Sequence, residues 1–484
     1  MVGSQCGARR IAGPDALRGQ THCNSAMRAT SSAVIKVRLS CADKEPRGKK
    51  WVVCCFRFKV TEDLARSQSR QVHHVCPALD SRMRVDAVRW HSRGRCVGSG
   101  MSARPDQRNS FLGCAVNSEG RKRSGLSVPC GKHGHHIDRA FCTLMDCLTS
   151  SGVYHDTELF FSDNLRTVSP DQFAVPWLYR AEFALDPGPG KHLFLITHGI
   201  SSRADVYLNG NEVANKSVQA GAYGGHRYDI SDMASRQNAL VIRVYPTSYN
   251  LDLAVGWADW TNAPADGGTG VWRPVEIKQT GPVVLEPLRV AVQLSSPPST
   301  SKPATVTLKS MTQNLENAPV VITASAVVAP VSGSGRLTSW EKTVTLGPLS
   351  STEITLGGTV ESPAIWWPKQ WGDQPLYTAN LTATIAAGGS VSDFTAAKFR
   401  FRTISSKRNS RFNDTTFYIN GQPLQVLGSR YAPDLYLRFD AAKVEKKLQY
   451  ILDLGLNTIR LKGKNEHPEL YEVTDRIGVM VIPG

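Results

Sequence analysis

The spacing of apolar residues constrains the fold of this chain more than any other feature of its sequence. From about Thr143 onward, short β-branched and apolar runs alternate with turn residues, and Asn209-Gly210 is a dipeptide suited to a tight hairpin. Strands this short and this closely spaced predict a β-sandwich or a jelly roll. A second series of strands follows Gly281-Pro282, separated by prolines and Ser/Gly clusters, and predicts a second sandwich of about 100 residues.

The pattern changes after a second hairpin dipeptide, Asn420-Gly421. Asp440 is a candidate N-cap for a helix that ends at Gly455, and a second helix is predicted from Pro468 to Gly478. Apolar runs at 424–431, 457–461 and 479–482 predict three strands that alternate with these helices. Such alternation predicts a parallel α/β domain, whose strands need further neighbours and covering helices.

Composition separates the first third of the chain from the rest. All eleven cysteines lie within residues 1–147, which carry 26 Lys and Arg against 11 Asp and Glu. That segment has a net charge of +15, so the overall +16 leaves only +1 for the remainder. Residues 1–142 show no sustained periodicity, and we expect them to be disordered or a gene-model artefact. The basic charge therefore gives no reason to expect a nucleic-acid partner for the whole protein.

Other functions for the basic, cysteine-rich segment find little support. No C-x-x-C pair occurs, and Cys130 beside three nearby histidines lacks a second cysteine at ligand spacing, so we expect no metal and no cofactor. A nucleic-acid-binding arm would need more than the short basic cluster at residues 121–123. No apolar run of 18 residues is present and no secretory signal is visible, so we expect no membrane partner.

Several stretches in order along the chain resemble glycoside hydrolase family 2. They include "GVYHDTELFFSDNL", "RADVYLNGNEV", "WADWTNAPADGGTGVWRPVEI", "WWPKQWGDQPLY", "FYINGQPLQVLGSRYAPDLYLRFD" and "LGLNTIRLKGKNEHPELYEVTDRIGVMVIPG". Within the family they are most similar to the fungal exo-β-D-glucosaminidases, which remove glucosamine from chitosan ends. The resemblance implies a galactose-binding-like jelly roll at 143–280, an Ig-like β-sandwich at 281–405, and the N-terminal part of a (β/α)8 TIM barrel at 406–484.

The resemblance also implies a reaction, which is exo-acting, retaining hydrolysis of β-linked glucosamine in chitosan and its oligosaccharides. Retaining hydrolysis needs two carboxyl groups about 5 Å apart. In family 2 the acid/base and nucleophile glutamates follow barrel strands four and seven, which would lie beyond residue 484. We therefore assign no catalytic residue and predict that the 484-residue chain is inactive. A β-mannosidase-like hydrolase and a non-catalytic carbohydrate-binding fragment are the alternatives.

Four residues are candidates for substrate binding. Asp434 matches a family aspartate that holds the substrate ammonium group, although a turn aspartate is an equally good interpretation. Lys462 stands where the family has a glutamate, and it would repel glucosaminium by about 1 to 4 kcal/mol at contact distance. Asp259 and Trp260 lie on a jelly-roll loop that reaches toward the barrel mouth in family 2, where an aspartate and an aromatic face suit a sugar ring.

Other conspicuous residues have structural explanations. We predict packing roles for four tryptophans, Trp272, Trp366, Trp367 and Trp371. Three acidic residues on the last helix are predicted to form its solvated face, and these are Glu469, Glu472 and Asp475. The histidines show no ligand spacing, so no metal site is predicted.

The cell compartment is predicted from the patterned region. Sequons begin at Asn215, Asn380 and Asn413, and they suit a secreted glycoprotein. This region is also predicted to contain no disulfide. We expect an extracellular enzyme that meets an oligosaccharide or polysaccharide substrate, and a monomer if full length.

Overall fold

Alternating burial along the strands makes the first domain a β-sandwich. In the strand from Gln237 to Val244, every second side chain is buried, including Leu240 and Ile242. The computed structural model describes residues 34–42, 51–59, 133–134, 141–188, 190–248, 252, 262–332, 336–411, 413–462 and 465–483. No helix in these ranges has the length and apolar character needed to cross a membrane.

The first domain contains strands β1 to β13 and two short helices. The strands are β1 (Val34–Ala42), β2 (Trp51–Lys59), β3 (His133–Gly134), β4 (Cys142–Thr143), β5 (Trp177–Ala184), β6 (His192–Thr197), β7 (Ile200–Ser201), β8 (Ala204–Leu208), β9 (Asn211–Ala214), β10 (His226–Asp229), β11 (Gln237–Val244), β12 (Gly270–Val271) and β13 (Val275–Thr280). The helices are α1 (Leu144–Ser150) and α2 (Asp156–Leu159), and 3₁₀ turns span Asn164–Thr167 and Pro170–Phe173. The sheets have the strand orders β3-β1-β2-β5-β11-β8-β9, β10-β6-β13 and β4-β12-β7.

The second domain is an Ig-like sandwich of two four-stranded sheets. Its strands are β14 (Val283–Leu285), β15 (Arg289–Gln293), β16 (Ala304–Asn314), β17 (Val320–Pro330), β18 (Thr338–Leu346), β19 (Ser351–Val360), β20 (Tyr377–Ile385) and β21 (Val391–Phe399). One sheet has the order β14-β16-β15 with β19 also paired to β16, and the other has the order β18-β17-β20-β21. Inward-facing residues of both sheets form one apolar core, as expected for aligned sheet packing.

The last part of the chain changes from antiparallel to parallel pairing. An antiparallel sheet contains β22 (Ile404–Asn409), β23 (Asp414–Ile419) and β24 (Gln422–Leu424). A parallel sheet follows, with β25 (Gly428–Tyr431), β26 (Thr458–Leu461) and β27 (Met480–Ile482). The helices α3 (Ala441–Asp453) and α4 (Pro468–Ile477) connect the parallel strands.

Local signals in the sequence explain the ends of these elements. The hairpin residues Asn209 and Asn420 have φ angles of 53° and 51°, and the glycine after each also has positive φ. The Asp440 side chain accepts a hydrogen bond from the Lys443 backbone and caps α3. Gly478 ends α4 in the left-handed conformation, with φ of 83°. The predicted hairpins, caps and helices are therefore confirmed.

Two sequence predictions about the first domain and its N-terminal segment need correction, and part of the first lies outside the described ranges. The expectation of disorder does not hold for β1, β2 and β3, since β-branched and aromatic residues favour strand in "VIKVRLSCA" and "WVVCCFRFK". The remaining residues up to 140 lie outside the described ranges. The prediction of no disulfide is wrong, because Cys142 and Cys147 are bonded across the start of α1.

The prediction of a solvated acidic face on α4 is also wrong. Asp475 is buried and forms an ion pair with Arg400 of the Ig-like domain. Glu472 is half-buried and lies 3.4 Å from the Lys398 ammonium group. The acidic side of α4 therefore packs against the Ig-like domain. Helical periodicity shows that a face is polar, but it does not show whether that face meets solvent or charged residues of another domain.

Candidate substrate pocket at the ends of the parallel strands

A pocket of about 390 Å³ lies beyond the C-terminal end of β25. Tyr431 is the last residue of that strand, and the chain passes through Asp434 before α3 begins. Ligand sites of parallel α/β folds form at this end of the strands. The lining residues are Tyr431, Asp434, Arg438, Phe439, Asp440, Lys443, Val444 and Lys447.

The Asp434 carboxylate is held by a single arginine. Arg438 donates from Nε to Oδ1 over 2.8 Å and from Nη2 to Oδ2 over 2.9 Å, which is a bidentate pair. The Tyr436 backbone N–H also donates to Oδ1 over 2.9 Å, as in an Asx turn. Burial opposes ionisation, but the hydrogen bonds from Arg438 outweigh it and lower the pKa of Asp434. Asp434 thus stabilises a turn, as one of the two interpretations predicted, and sugar binding by the same residue stays a prediction.

The pocket lining carries charges of both signs. Asp434 and Asp440 supply two carboxylates, while Arg438, Lys443 and Lys447 supply three cations. Because Asp440 accepts a hydrogen bond from the first turn of α3, it is committed to capping that helix. The lining is therefore close to neutral, and Asp434 is the carboxylate best placed to meet a ligand.

The jelly-roll domain contacts the loop that carries Asp434. Arg438 uses its remaining nitrogen, Nη1, to donate to Asp156 Oδ2 of α2 over 2.5 Å. Thr143 Oγ1 donates to the Tyr436 carbonyl over 2.9 Å, and the Phe160 ring lies 5.6 Å from the Tyr436 ring. Arg438 therefore joins one carboxylate of the jelly roll to one carboxylate of the pocket.

The other predicted substrate-binding residues have different positions. Lys462 directly follows β26, and its backbone N–H donates to the Tyr431 carbonyl over 3.2 Å. Its side chain is half-buried and is not part of the lining of the described pocket. Asp259 and Trp260 lie outside the described residues. The structure thus brings Lys462 to the same end of the sheet as Asp434, and both binding roles stay predictions.

Sequence reasoning missed two buried titratable residues in the loop after β26, Glu466 and His467. His467 Nε2 lies 2.8 Å from the Leu437 carbonyl oxygen, so this nitrogen carries the proton. Arg273 of the jelly roll donates to the Glu466 carbonyl oxygen over 3.0 Å. Burial raises the pKa of Glu466 to about 7 and lowers the pKa of His467 to about 4.

Aromatic side chains from two domains enclose His467. Its ring stacks on Phe141 with centroids 5.6 Å apart, and Trp272 approaches edge-on at 5.2 Å. Arg273 lies over the Trp272 ring at 4.2 Å. The Glu-His-Pro motif before α4 was visible in the sequence, but its burial depends on the jelly-roll residues Trp272 and Phe141, which lie 195 and 326 positions before His467.

The predicted packing role is confirmed for Trp272 and Trp366, which are fully buried. The Trp366 indole N–H donates to the Asp475 carbonyl over 2.7 Å, at the Ig-like side of α4. Trp367 is half-buried against the Ig-like core, whereas Trp371 is 41% exposed, so packing describes Trp371 poorly. The loop of these last three tryptophans contacts residues before β26 and β27, at the end of the sheet opposite Asp434.

Within the described ranges, no three His, Cys, Asp or Glu side chains come together as metal ligands.

Comparison with known proteins identifies the first two domains. Residues 139–253 match the glycosyl hydrolase 2 galactose-binding domain-like family, and residues 287–402 match the glycosyl hydrolases family 2 model. The exo-β-D-glucosaminidase of Hypocrea jecorina is 47% identical over 350 residues, which cover 72% of this chain and 39% of that protein. The enzyme of the same name from Streptomyces avermitilis is 34% identical over 377 residues, or 76% of this chain and 39% of that protein.

A solved structure supports the same relationship. The exo-chitosanase of Amycolatopsis orientalis superimposes with a TM-score of 0.64 and 32% sequence identity, covering 71% of this chain and 39% of the other. The chain thus spans about two fifths of the length of these relatives. Its jelly roll, its Ig-like sandwich and its similarity to exo-β-D-glucosaminidases agree with one another, and the chain belongs to glycoside hydrolase family 2.

Proposed function

We propose that this chain belongs to an exo-acting, retaining hydrolase that removes β-linked glucosamine from chitosan and its oligosaccharides. The observation that carries the proposal is the position of Asp434, an oriented and ionised carboxylate in a pocket at the C-terminal end of a parallel strand. Relatives that bear the name exo-β-D-glucosaminidase support the amino-sugar substrate.

The parallel sheet would be the first part of a (β/α)8 barrel. Strands β25, β26 and β27 with helices α3 and α4 have the strand–helix order that such a barrel repeats. A complete barrel has about 250 residues and eight strands. Because retaining hydrolysis needs two carboxyl groups about 5 Å apart on later strands, we propose that the 484-residue chain binds substrate without cleaving it.

In the proposed site, the ammonium group of glucosamine meets Asp434. Oδ1 already accepts hydrogen bonds from Arg438 and from the Tyr436 backbone, whereas Oδ2 accepts one, from Arg438. The ammonium group would therefore use the remaining lone pair of Oδ2, because each carboxylate oxygen has two. Lys462 weakens this selectivity, since it adds a cation at the same end of the sheet to the three in the pocket lining, and each cation opposes a cationic sugar.

A neutral sugar is the second candidate substrate, and Lys462 is the observation that favours it. A mannosylglycoprotein endo-β-mannosidase from Lilium longiflorum is 25% identical over 334 residues. A β-mannosidase-like activity would need no carboxylate for an ammonium group. A non-catalytic carbohydrate-binding role is the third possibility, and it predicts the same binding without cleavage even when later barrel strands are supplied.

A titration of the purified 484-residue chain with glucosamine and with mannose tests the proposal. We expect glucosamine to bind better, and Asp434→Asn to weaken glucosamine about 10-fold or more because a charge-assisted contact is lost. Asp453→Asn is the matched control, since Asp453 is an exposed carboxylate on α3. Equal binding of both sugars by the unmodified chain would favour the mannosidase-like alternative, and release of glucosamine from chitosan oligosaccharides would overturn the predicted inactivity.

We also propose that the enzyme acts outside the cell as a monomer, because chitosan is a polymer met there. The exposed positions of Asn215, Asn380 and Asn413 support this proposal, since each begins a sequon. Mass spectrometry of the native protein before and after enzymatic removal of N-glycans tests it, and unmodified peptides at all three positions would count against export.

A further inference from the structure

An exposed aromatic and acidic loop lies in the jelly-roll domain at residues 152–165, and we name it the acidic aromatic loop. Phe161 is 72% exposed and Phe160 is 46% exposed, which is unusual for two adjacent phenylalanines. The loop has a defined conformation, because Leu159 is buried and Asn164 Nδ2 donates to the Glu158 carbonyl over 2.8 Å. The two exposed rings therefore lie on a loop whose backbone is held in place by packing and hydrogen bonding.

This loop is joined to the pocket by direct contacts. Asp156 of the loop accepts a hydrogen bond from Arg438, which lines the pocket and holds Asp434. Phe160 packs against Tyr436, whose backbone N–H donates to the Asp434 carboxylate. One contact path therefore runs from the exposed rings to the carboxylate of the proposed site.

One carboxylate of the loop suits a cationic ligand. Residues 152–165 contain Asp156, Glu158 and Asp163, but Arg438 pairs with Asp156 and Arg166 pairs with Asp163, so Glu158 is the carboxylate that can meet a ligand. Glu158 is exposed, and no hydrogen bond or ion pair involving its carboxylate is found among the described residues. Aromatic rings bind cations and the apolar faces of sugars, while a carboxylate accepts hydrogen bonds from ammonium and hydroxyl groups.

We propose that the acidic aromatic loop binds the second glucosamine unit of a β-linked chain whose terminal unit occupies the Asp434 pocket. Phe161 is the stacking surface, Glu158 meets the ammonium group of the second unit, and Asp156 positions the loop through Arg438. The proposal rests on the proposed function, because it takes its ligand class from there. It adds a reason for chain-length selectivity, since a second sugar unit would gain the contacts with Phe161 and Glu158.

The test compares glucosamine with its β-1,4-linked trisaccharide by calorimetry on the 484-residue chain. We expect the trisaccharide to bind more tightly than the monosaccharide. Phe161→Ala should weaken trisaccharide binding about 3- to 10-fold and leave glucosamine binding unchanged. Phe417→Ala is the matched control, because Phe417 is an exposed phenylalanine, 40% accessible, on β23 of another domain. Phe161→Trp should retain trisaccharide affinity, and unchanged melting temperatures verify folding.

The possible results separate this inference from the proposed function. Trisaccharide affinity that is the same in the unmodified chain and in Phe161→Ala overturns the loop assignment, even if Asp434→Asn still weakens glucosamine. If Phe161→Ala weakens trisaccharide binding and Asp434→Asn does not, the loop assignment is supported and the pocket assignment is wrong. Self-association of the unmodified chain that Phe161→Ala abolishes in sedimentation would show that another copy covers the rings, and this also overturns the inference.

Discussion

Arg438 donates two hydrogen bonds to Asp434 and a third to Asp156, so one guanidinium group joins the pocket to the jelly-roll domain. The pair is partly buried, which makes each charge expensive to leave without its partner. The orientation of Asp434 therefore depends on an arginine four residues along the chain, outside any helix.

Arg438→Gln should raise the pKa of Asp434 and destabilise the chain by about 2 kcal/mol, because the carboxylate loses its bidentate partner. The pKa of Asp434 is lowered in the folded state, so its contribution to stability is present above the unfolded pKa and disappears as the pH falls. Carbon-detected NMR titration of Asp434 measures the pKa, and denaturant unfolding measures stability. An unchanged pKa in Arg438→Gln would show that other groups hold the carboxylate ionised.

Glu466→Gln should change the pH dependence of folding in a specific direction. Burial raises the pKa of Glu466 from 4.5 to about 7, so its favourable protonated state is lost as the pH rises through that range. We expect the variant to gain about 2 to 3 kcal/mol in free energy of unfolding, relative to the unmodified chain, between pH 5 and pH 8.

Subtracting the unfolding free energy of the unmodified chain from that of Glu466→Gln at each pH removes the effect of other titrating groups. His467 is one of these groups, because its lowered pKa makes stability rise with pH below pH 6.5, opposite to the effect of Glu466. Glu445→Gln is the control. Arg476 lowers the pKa of this exposed carboxyl below its ordinary 4.5, so its contribution to stability is already present above pH 5, and the difference from the unmodified chain should stay nearly constant up to pH 8. Urea unfolding at each pH supplies the data. A constant difference between Glu466→Gln and the unmodified chain would mean that Glu466 is ionised in the folded state.

Asp475→Asn should destabilise the contact between α4 and the Ig-like domain by about 3 kcal/mol, because it leaves the Arg400 guanidinium buried without its carboxylate. Glu445→Gln on α3 removes an exposed pair with Arg476 and should cost less than about 1 kcal/mol. Thermal unfolding of both variants gives the comparison. Equal losses would contradict the buried position of Asp475.

Gly478→Ala should destabilise the chain by more than about 2 kcal/mol, since a Cβ there would lie 2.6 Å from the Lys369 backbone nitrogen at a φ of 83°. Gly455→Ala is a closely matched control, because Gly455 has a φ of 76° and its Cβ would meet nothing within 4 Å. We expect that variant to lose about 1 kcal/mol from backbone strain alone. Similar losses in the two variants would argue against close packing of the Ig-like loop on Gly478.

The sequence predicted elements defined by local chemistry and missed features that depend on distant partners. Asn420-Gly421 and Gly478 carry their own conformational signal, so the hairpin and the helix end were predictable. Asp475 looked solvent-facing because helical periodicity reports only that a face is polar, whereas its partner Arg400 lies 75 residues earlier. The Asp434–Arg438 pair was missed for the same reason, because its geometry comes from a turn, and hydrophobic periodicity does not predict the geometry of turns.

The placement of the substrate site is tested most directly by a hydrogen–deuterium exchange footprint of the 484-residue chain with and without the β-1,4-linked glucosamine trisaccharide. We predict slower exchange in two segments, residues 431–447 around Asp434 and residues 152–165 of the acidic aromatic loop. We predict no change near Trp371, at the opposite end of the parallel sheet. Protection near Trp371 with no change around Asp434 would contradict the placement of the substrate site.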